Sequence, residues 1–171
     1  STVYKPFKYP WAVEFAVKSE KAHWGEWECK LQDDVAQWQS GKLNEVEKNH
    51  ITQILRLFTQ SDVAVGTNYL EHYIQKFKNN EIRAMLTSFT NREFVHQRSY
   101  ALLNDTLGLP EEEYSAFLEY EQMKEKIEFM TDLDTNSVTG LGKGIARSVM
   151  NEGMSLFSAF VMLLNYQRYG K

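Results

Sequence analysis

Four side chains suited to binding a hard, oxidisable metal occur at inward positions of predicted helices. Glu93 and His96 form a Glu-x-x-His pair one helical turn apart, while Asp62 and Glu152 belong to two other helices. An ionised carboxylate in a bundle core costs several kcal/mol unless it is paired or bound to a cation, and converging carboxylates also repel each other. Carboxylates on separate helices together with Glu-x-x-His are the ligands of di-iron and di-manganese bundle sites. The pattern therefore predicts a two-metal carboxylate site.

The same residues have ordinary interpretations. A single Glu-x-x-His pair arises often by chance, and an inward aspartate or glutamate can equally pair with a buried arginine or lysine. No metal role is predicted for His23, His50 and His72, because none of them has a converging partner at ligand spacing.

The elements that must position the four side chains are long helices. Glycine and proline number only nine and three, and they separate stretches with helical periodicity. Helices are predicted, to within several residues, over 10–24, 44–70, 80–107, 111–130 and 139–168, with an irregular connection over 29–41 and a polar loop over 132–137. We therefore predict an all-α helical bundle forming one domain over 1–171, with an N-terminal segment up to about residue 43 and bundle helices from about residue 44.

Three of these helices each present an inward face at alternating steps of three and four residues. The faces comprise Ile51, Leu55, Phe58, Asp62 and Val65; Ile82, Leu86, Phe89, Glu93, His96, Tyr100, Leu103 and Leu107; and Ile145, Val149, Glu152, Leu156, Ala159 and Leu163. Each helix thus places a carboxylate in an otherwise apolar seam. Three such coincidences are harder to obtain by accident than one motif.

Composition excludes several classes of function. The formal net charge of −4 and the absence of a basic run give no electrostatic footprint for nucleic acid or an anionic membrane. Cys29 is the only cysteine, so the chain by itself can form neither an internal disulfide nor a zinc ribbon. With no apolar stretch near eighteen residues and no secretory pattern at the start, a cytoplasmic protein is expected.

The sequence ending at Tyr100 resembles a motif of a known family. Residues 93–100, Glu-Phe-Val-His-Gln-Arg-Ser-Tyr, closely resemble Glu-x-x-His-x-x-x-Tyr of the radical-generating small subunit of class I ribonucleotide reductases. Residues 59–62 resemble the family's segment with the first metal-binding aspartate, and residues 151–153 resemble its helix with the first ligand of the second metal. Residues 5–11 and 23–24 are similar to its N-terminal region. The resemblance covers essentially the whole chain, as an N-terminal half of the family's fold.

The resemblance implies a ferritin-like bundle with a dinuclear centre. Asp62, Glu93 and His96 would bind the first metal and Glu152 the second, with Fe/Fe expected and Mn/Mn or Mn/Fe accepted by the same ligands. It also implies that Tyr100 is oxidised to a stable radical and that Trp24 begins electron transfer. By residue type alone, Tyr100 is more often a core tyrosine and Trp24 a core or surface-anchoring aromatic.

The resemblance also implies partners. The family's second Glu-x-x-His helix and C-terminal docking tail have no counterpart in residues 1–171. A second chain supplying that half is therefore expected, together with a homodimer and a separate large catalytic subunit, because a chain with one cysteine cannot itself reduce nucleotides. Two alternatives stay open: another ferritin-like dimetal protein, such as an oxidase or an iron-storage protein, and a metal-free scaffold half.

Overall fold

The computed structural model describes residues 2–171, and its regular elements in this range are all helical, which confirms the predicted fold class. Eight α-helices follow in order: α1 (Pro10–Lys21), α2 (Gln32–Gln39), α3 (Glu45–Thr67), α4 (Asn80–Thr106), α5 (Glu112–Ala116), α6 (Glu121–Thr131), α7 (Val138–Met150) and α8 (Phe157–Arg168). There are 3₁₀ turns at Glu26–Glu28 and Phe117–Glu119, and π-helical segments at Asn68–Tyr73 and Asn151–Leu156. Among residues 2–171, none of the helices combines the length and apolarity needed to cross a bilayer.

Helices α3 and α4 are long because their ends are well defined and their interiors uninterrupted. The Asn44 side chain accepts a hydrogen bond from the Glu47 amide at 2.9 Å, and the Glu47 carboxylate accepts one from the Asn44 amide at 3.0 Å. This reciprocal capping box satisfies two amide groups at the start of α3. Helix α4 runs for 27 residues without glycine or proline and ends before Gly108, whose φ of 75° suits a glycine after a helix.

The core that supports the candidate site lies where α3, α4 and α8 meet. Phe58, only 1% exposed, is its largest fully buried side chain and packs with Ile54, Leu55 and Ala159. A second cluster, around Ala12, Tyr73, Ile82 and Leu86, joins α1 to the first half of α4. The inward faces predicted for α3 and α4 therefore form the framework of the fold.

Two predicted boundaries were wrong. The connection over residues 29–41 contains helix α2, whose only half-buried apolar side chains are Val35 and Trp38, too few to show a helical period. The single helix expected over 111–130 is divided into α5, a 3₁₀ turn and α6, with extended backbone at Tyr120. Contacts with α3 hold this irregular path: Glu113 pairs with Arg56, and the Tyr120 hydroxyl accepts a hydrogen bond from Gln53 at 3.2 Å.

The inward face expected over residues 145–163 is not continuous. The π-helical segment Asn151–Leu156 separates α7 from α8, and a π turn shifts the side chains that follow it around the helix axis. Ala159 is accordingly buried against Phe58, while Ile145 and Val149 are 41% and 65% exposed. The two halves of the predicted helix therefore face different surroundings.

Candidate metal centre

Asp62 on α3 converges with Glu93 and His96 on α4. One ligand atom from each of these residues lies within 4.8 Å of the other two, and both carboxylates are buried. His96 Nδ1 is 3.7 Å from Asp62 Oδ2 and 3.6 Å from Glu93 Oε2, distances too long for hydrogen bonds. The three side chains therefore converge without forming hydrogen bonds to one another across these distances.

The Oδ2 atom of Asp62 is buried and has no hydrogen-bond partner. Leaving such an atom unsatisfied is costly, and a cation within reach of its lone pairs would remove the cost. Carboxylate oxygens together with an imidazole nitrogen are ligands for iron and manganese. The oxygen and nitrogen atoms of Asp62, Glu93 and His96 therefore fit an iron or manganese ion.

Glu152 lies beside this group but is not one of the three converging residues. It belongs to the π-helical segment Asn151–Leu156. Short π-helical turns within α-helices are often found at functional sites. Its side chain lines a small cavity of about 10 Å³ together with Asp62, Phe58 and Lys126. The structure thus brings Glu152 to the same small cavity as Asp62.

Burial and neighbouring charges shift the pKa values of the ionisable groups around the pocket. Burial, followed by the Glu93 charge, raises the pKa of Asp62 to about 8, although His96 opposes the shift. Burial and the Glu93 charge also raise the pKa of Glu152. The Glu93 carboxylate raises the pKa of His96 in turn. Without a cation, the pocket thus favours the neutral, protonated forms of Asp62 and Glu152 and the charged, protonated form of His96.

Sequence reasoning missed two polar residues beside the centre. Lys126 on α6 is half-buried, and burial lowers its pKa while the Glu152 charge opposes the change. Gln97 donates a hydrogen bond from its amide nitrogen to the backbone oxygen of Asp62 at 2.9 Å. Nothing in the sequence distinguishes Lys126 from Lys124 nearby, since the fold alone brings α6 to the pocket. Gln97, one position after His96, carries a weak signal because it shares a helix with two ligands.

Tyr100 is half-buried one turn beyond His96. Its ring stacks on Phe58, with ring centroids 5.3 Å apart and 28° between the planes. Leu103 and Leu107 belong to the same apolar cluster. Burial, followed by the charges of Asp62 and Glu93, raises the pKa of the Tyr100 phenol. The structure therefore places Tyr100 in an apolar site next to the carboxylates.

Trp24 contacts one of the three converging residues, His96. Its indole stacks on the His96 ring, with centroids 5.9 Å apart and 25° between the planes. The three remaining histidines do not join the converging group within residues 2–171. His23 contacts Arg92, and His50 is hydrogen-bonded to the Tyr166 hydroxyl at 2.8 Å.

A large apolar groove opens next to Glu152. It has a volume of about 830 Å³ and runs between the first half of α4 and the α7 side of the π-helical segment. The residues lining it include Tyr69, Phe89, Ile145, Val149 and Phe157. Apolar patches of this kind on a protein surface mark binding sites for other polypeptides or ligands.

The chain is similar to known proteins over essentially its whole length. The family model described as "Ribonucleotide reductase, small chain" matches residues 1–171. The protein named "Probable ribonucleoside-diphosphate reductase small subunit 048L" from Invertebrate iridescent virus 3 is 41% identical, over 99% of this chain and 49% of the viral protein. The "Ribonucleoside-diphosphate reductase subunit beta" of Chlamydia pneumoniae is 28% identical, over 97% of this chain and 52% of the bacterial protein.

A solved structure shares the fold. The ribonucleotide reductase R2 subunit from Clostridium botulinum superposes with a TM-score of 0.86 and 23% sequence identity, over 96% of this chain and 53% of that chain. The chain thus spans about half the length of the curated relatives and of the solved structure that it matches.

Proposed function

Because this chain belongs to the ribonucleotide reductase small-chain family, we propose that it provides the radical-generating small subunit of a ribonucleoside-diphosphate reductase. In that role it stores an oxidising equivalent for a separate large subunit that makes deoxyribonucleotides. The observation that carries the proposal is the convergence of Asp62, Glu93 and His96, whose ligand atoms lie within 4.8 Å of one another. The buried and unpartnered Asp62 Oδ2 supports it further, because a bound cation would satisfy this atom.

The proposed centre is dinuclear. Asp62, Glu93 and His96 would hold the first metal and Glu152 would belong to the second. Fe/Fe is the proposed metal pair, and the same oxygen and nitrogen ligands also accept Mn/Mn or Mn/Fe. When bound, such a centre supplies the oxidising power for removing one electron from a side chain.

Tyr100 is the proposed site of oxidation. Burial and nearby carboxylates raise the pKa of its phenol, so the neutral ring must lose the Oη proton together with the electron. The Phe58 ring covers one face of Tyr100 and helps to exclude water and reductants. Phe58 would therefore help to protect the oxidised Tyr100 ring after its proton and electron have left.

Trp24 is the proposed residue through which the electron passes between this subunit and the large one. The stacking of its indole on His96, at 5.9 Å between centroids, supports this role because it links a half-buried aromatic to a ligand. Cys29 is the only cysteine and is exposed, so nucleotide reduction is assigned to the large subunit.

The rest of the centre is proposed to come from a second chain bearing another Glu-x-x-His helix. Relatives about twice as long as this chain support the existence of a further half, and the apolar groove beside Glu152 offers a surface to which it could bind. A helix with one apolar face would cover Ile145, Val149 and Phe157, which are exposed by 41%, 65% and 63%. A homodimer of the completed subunit and a cytoplasmic location are proposed with it.

The first test is to purify the chain untagged, without added metal, from the cells that make it. Intact mass would show whether a second polypeptide with a Glu-x-x-His helix co-purifies, and metal would be counted in the same sample. We expect the partner and about two metals per pair. A chain that stays alone and metal-free, even after loading with iron(II) or manganese(II) without oxygen, would contradict the metal centre.

The second test addresses Tyr100. In the completed and oxidised subunit, Tyr100→Phe is expected to abolish the radical signal in electron paramagnetic resonance while the metal count stays unchanged. A radical signal of wild-type shape and intensity in Tyr100→Phe would assign the radical to another residue.

A further inference from the structure

The backbone around Trp24 has no helix to fix the direction of its side chain. Trp24 lies between the end of α1 at Lys21 and the 3₁₀ turn Glu26–Glu28, in a stretch without regular structure. Its indole is nevertheless stacked on His96, with 25° between the ring planes. Contacts from outside the segment must therefore hold this arrangement.

Arg92 makes the first of these contacts. Its Nη1 atom donates to the backbone oxygen of Trp24 at 3.4 Å, and its Nη2 atom contacts Nδ1 of His23. Arg92 stands on α4 one turn before His96, so a single guanidinium ties two consecutive residues to the helix that bears this ligand. The planar fork of arginine suits such a double contact better than the single ammonium group of lysine.

Arg98 makes the second contact, two positions beyond His96. Its Nε atom donates to Oε1 of Glu26 at 2.8 Å, and this hydrogen bond lowers the pKa of the Glu26 carboxyl. The Arg98 side chain is 51% exposed, so the ion pair contributes less than a buried one would. The turn is closed locally by the Glu28 carboxylate, which accepts a hydrogen bond from the Gly25 amide at 2.9 Å.

We propose that Arg92 and Arg98 are positioning residues that clamp the segment around Trp24 onto α4 and thereby hold the Trp24 indole against His96. The inference deepens the proposed function and rests on it. Electron transfer between aromatic groups slows steeply as their separation grows. A loosened clamp would therefore slow the passage of electrons through Trp24 without removing any metal ligand.

The clamp can be measured first by amide hydrogen exchange in the full chain without metal. Loss of the charge-assisted contacts in Arg92→Ala is expected to speed exchange in the peptide over residues 22–30 about tenfold. The more exposed ion pair removed in Arg98→Ala should give about threefold. Arg92→Lys, which keeps the charge but loses the fork, should fall between wild type and Arg92→Ala. The matched control is Arg83→Ala, an exposed arginine on the same helix, which should leave this peptide unchanged.

A fluorescence measurement then asks whether the clamp acts on the link between Trp24 and the ligand. Trp24 is made the only tryptophan by Trp11→Phe, Trp27→Phe and Trp38→Phe, and manganese(II) is added as a paramagnetic quencher. Quenching of Trp24 should decrease about twofold or more in Arg92→Ala, because the released indole spends most of its time away from His96. The manganese affinity, measured separately from the resonance of the free ion, should stay as in wild type.

The outcomes separate the clamp from the proposed function. Unchanged exchange and unchanged quenching in both alanine variants would overturn the clamp while bound manganese still supports the metal centre. Faster exchange spread over all peptides would also overturn it, because that result indicates general destabilisation. If wild type binds no manganese, the proposed function fails, and the exchange comparison alone decides whether the arginines hold the segment.

Discussion

The rings of Phe58 and Tyr100 stack with centroids 5.3 Å apart, which joins the middle of α3 to α4 one turn from both Asp62 and His96. The same phenylalanine also packs against Phe160 of α8 at 4.8 Å between centroids. Phe58 is therefore the point where the three helices that carry or support the centre meet.

Phe58→Ala is expected to lower the free energy of unfolding by about 3–5 kcal/mol, because it leaves a cavity in a fully buried site. The matched control is Phe94→Ala on α4, where the side chain is 40% exposed and the expected loss is below about 1 kcal/mol. Urea unfolding followed by circular dichroism measures both. Equal losses in the two variants would show that Phe58 is not the packing centre.

The metal-free chain is expected to carry a stability contribution from Asp62 that disappears as the pH rises. Burial raises the pKa of this carboxyl from 3.8 to about 8 in the folded state. The folded chain therefore binds this proton more tightly than the unfolded chain does. The contribution is fully present below about pH 4 and is lost as the pH rises through about 8.

Asp62→Asn, which stays neutral, tests this dependence. With metal removed by a chelator, the unfolding temperature of Asp62→Asn should exceed that of wild type by a margin that grows between about pH 4 and about pH 8. Comparing the two proteins at each pH cancels the other titrating groups. Asp33→Asn, at an exposed position of α2, should show no such growth. Parallel curves for Asp62→Asn and wild type would contradict the raised pKa.

Loss of the carboxylate of Asp62, the carboxylate of Glu93 or the imidazole of His96 should weaken manganese(II) binding. Because changes behind a ligand already cost about 10–100-fold in affinity, Asp62→Asn, Glu93→Gln and His96→Ala are each expected to cost at least about 100-fold. His50→Ala is the control, since this exposed histidine is hydrogen-bonded to the Tyr166 hydroxyl and is not one of the three converging residues. Titration followed by electron paramagnetic resonance measures the affinities. An affinity for Glu93→Gln equal to that of His50→Ala would remove Glu93 from the centre.

Two glycines in α7 should respond in opposite ways to alanine. A Cβ atom at Gly140 would collide with the backbone oxygen of Asp134, whereas Gly142 has no neighbouring atom within 4 Å of that position. Gly140→Ala is expected to destabilise the chain by about 1–3 kcal/mol. Gly142→Ala should stabilise it by about 0.5–1 kcal/mol, because alanine restricts the unfolded backbone and favours helix. Urea unfolding distinguishes them, and a stabilising Gly140→Ala would contradict the close approach of the Asp134 backbone oxygen to Gly140.

The sequence predicted α4 and the residues on it well. The helix expected over 80–107 is observed as Asn80–Thr106, because 27 residues without glycine or proline keep one uninterrupted period. Glu93, His96 and Tyr100 therefore share a face by helix geometry alone. Their roles in metal binding and oxidation remain predictions that the ligand and radical experiments address.

Other features could not be predicted because tertiary contacts decide them. The pattern of apolar residues cannot show a π turn, so Ile145 and Val149 were assigned to the seam but are exposed at the groove. Lys126 reaches the pocket only because α6 packs against α3. The contacts of Arg92 with residues 23 and 24 span about seventy positions of sequence, and no local pattern reports them.

The π-helical segment Asn151–Leu156 has a consequence for how this chain can change over evolutionary time. A π turn amounts to one extra residue within an α-helical path, equivalent to a rotation of about 100°. Because the turn absorbs that rotation, the two positions have different neighbours. Substitutions at Val149 are constrained by whatever fills the groove, while substitutions at Ala159 are constrained by packing against Phe58. Selection can thus act on the α7 end and on the α8 end of this long helical stretch separately.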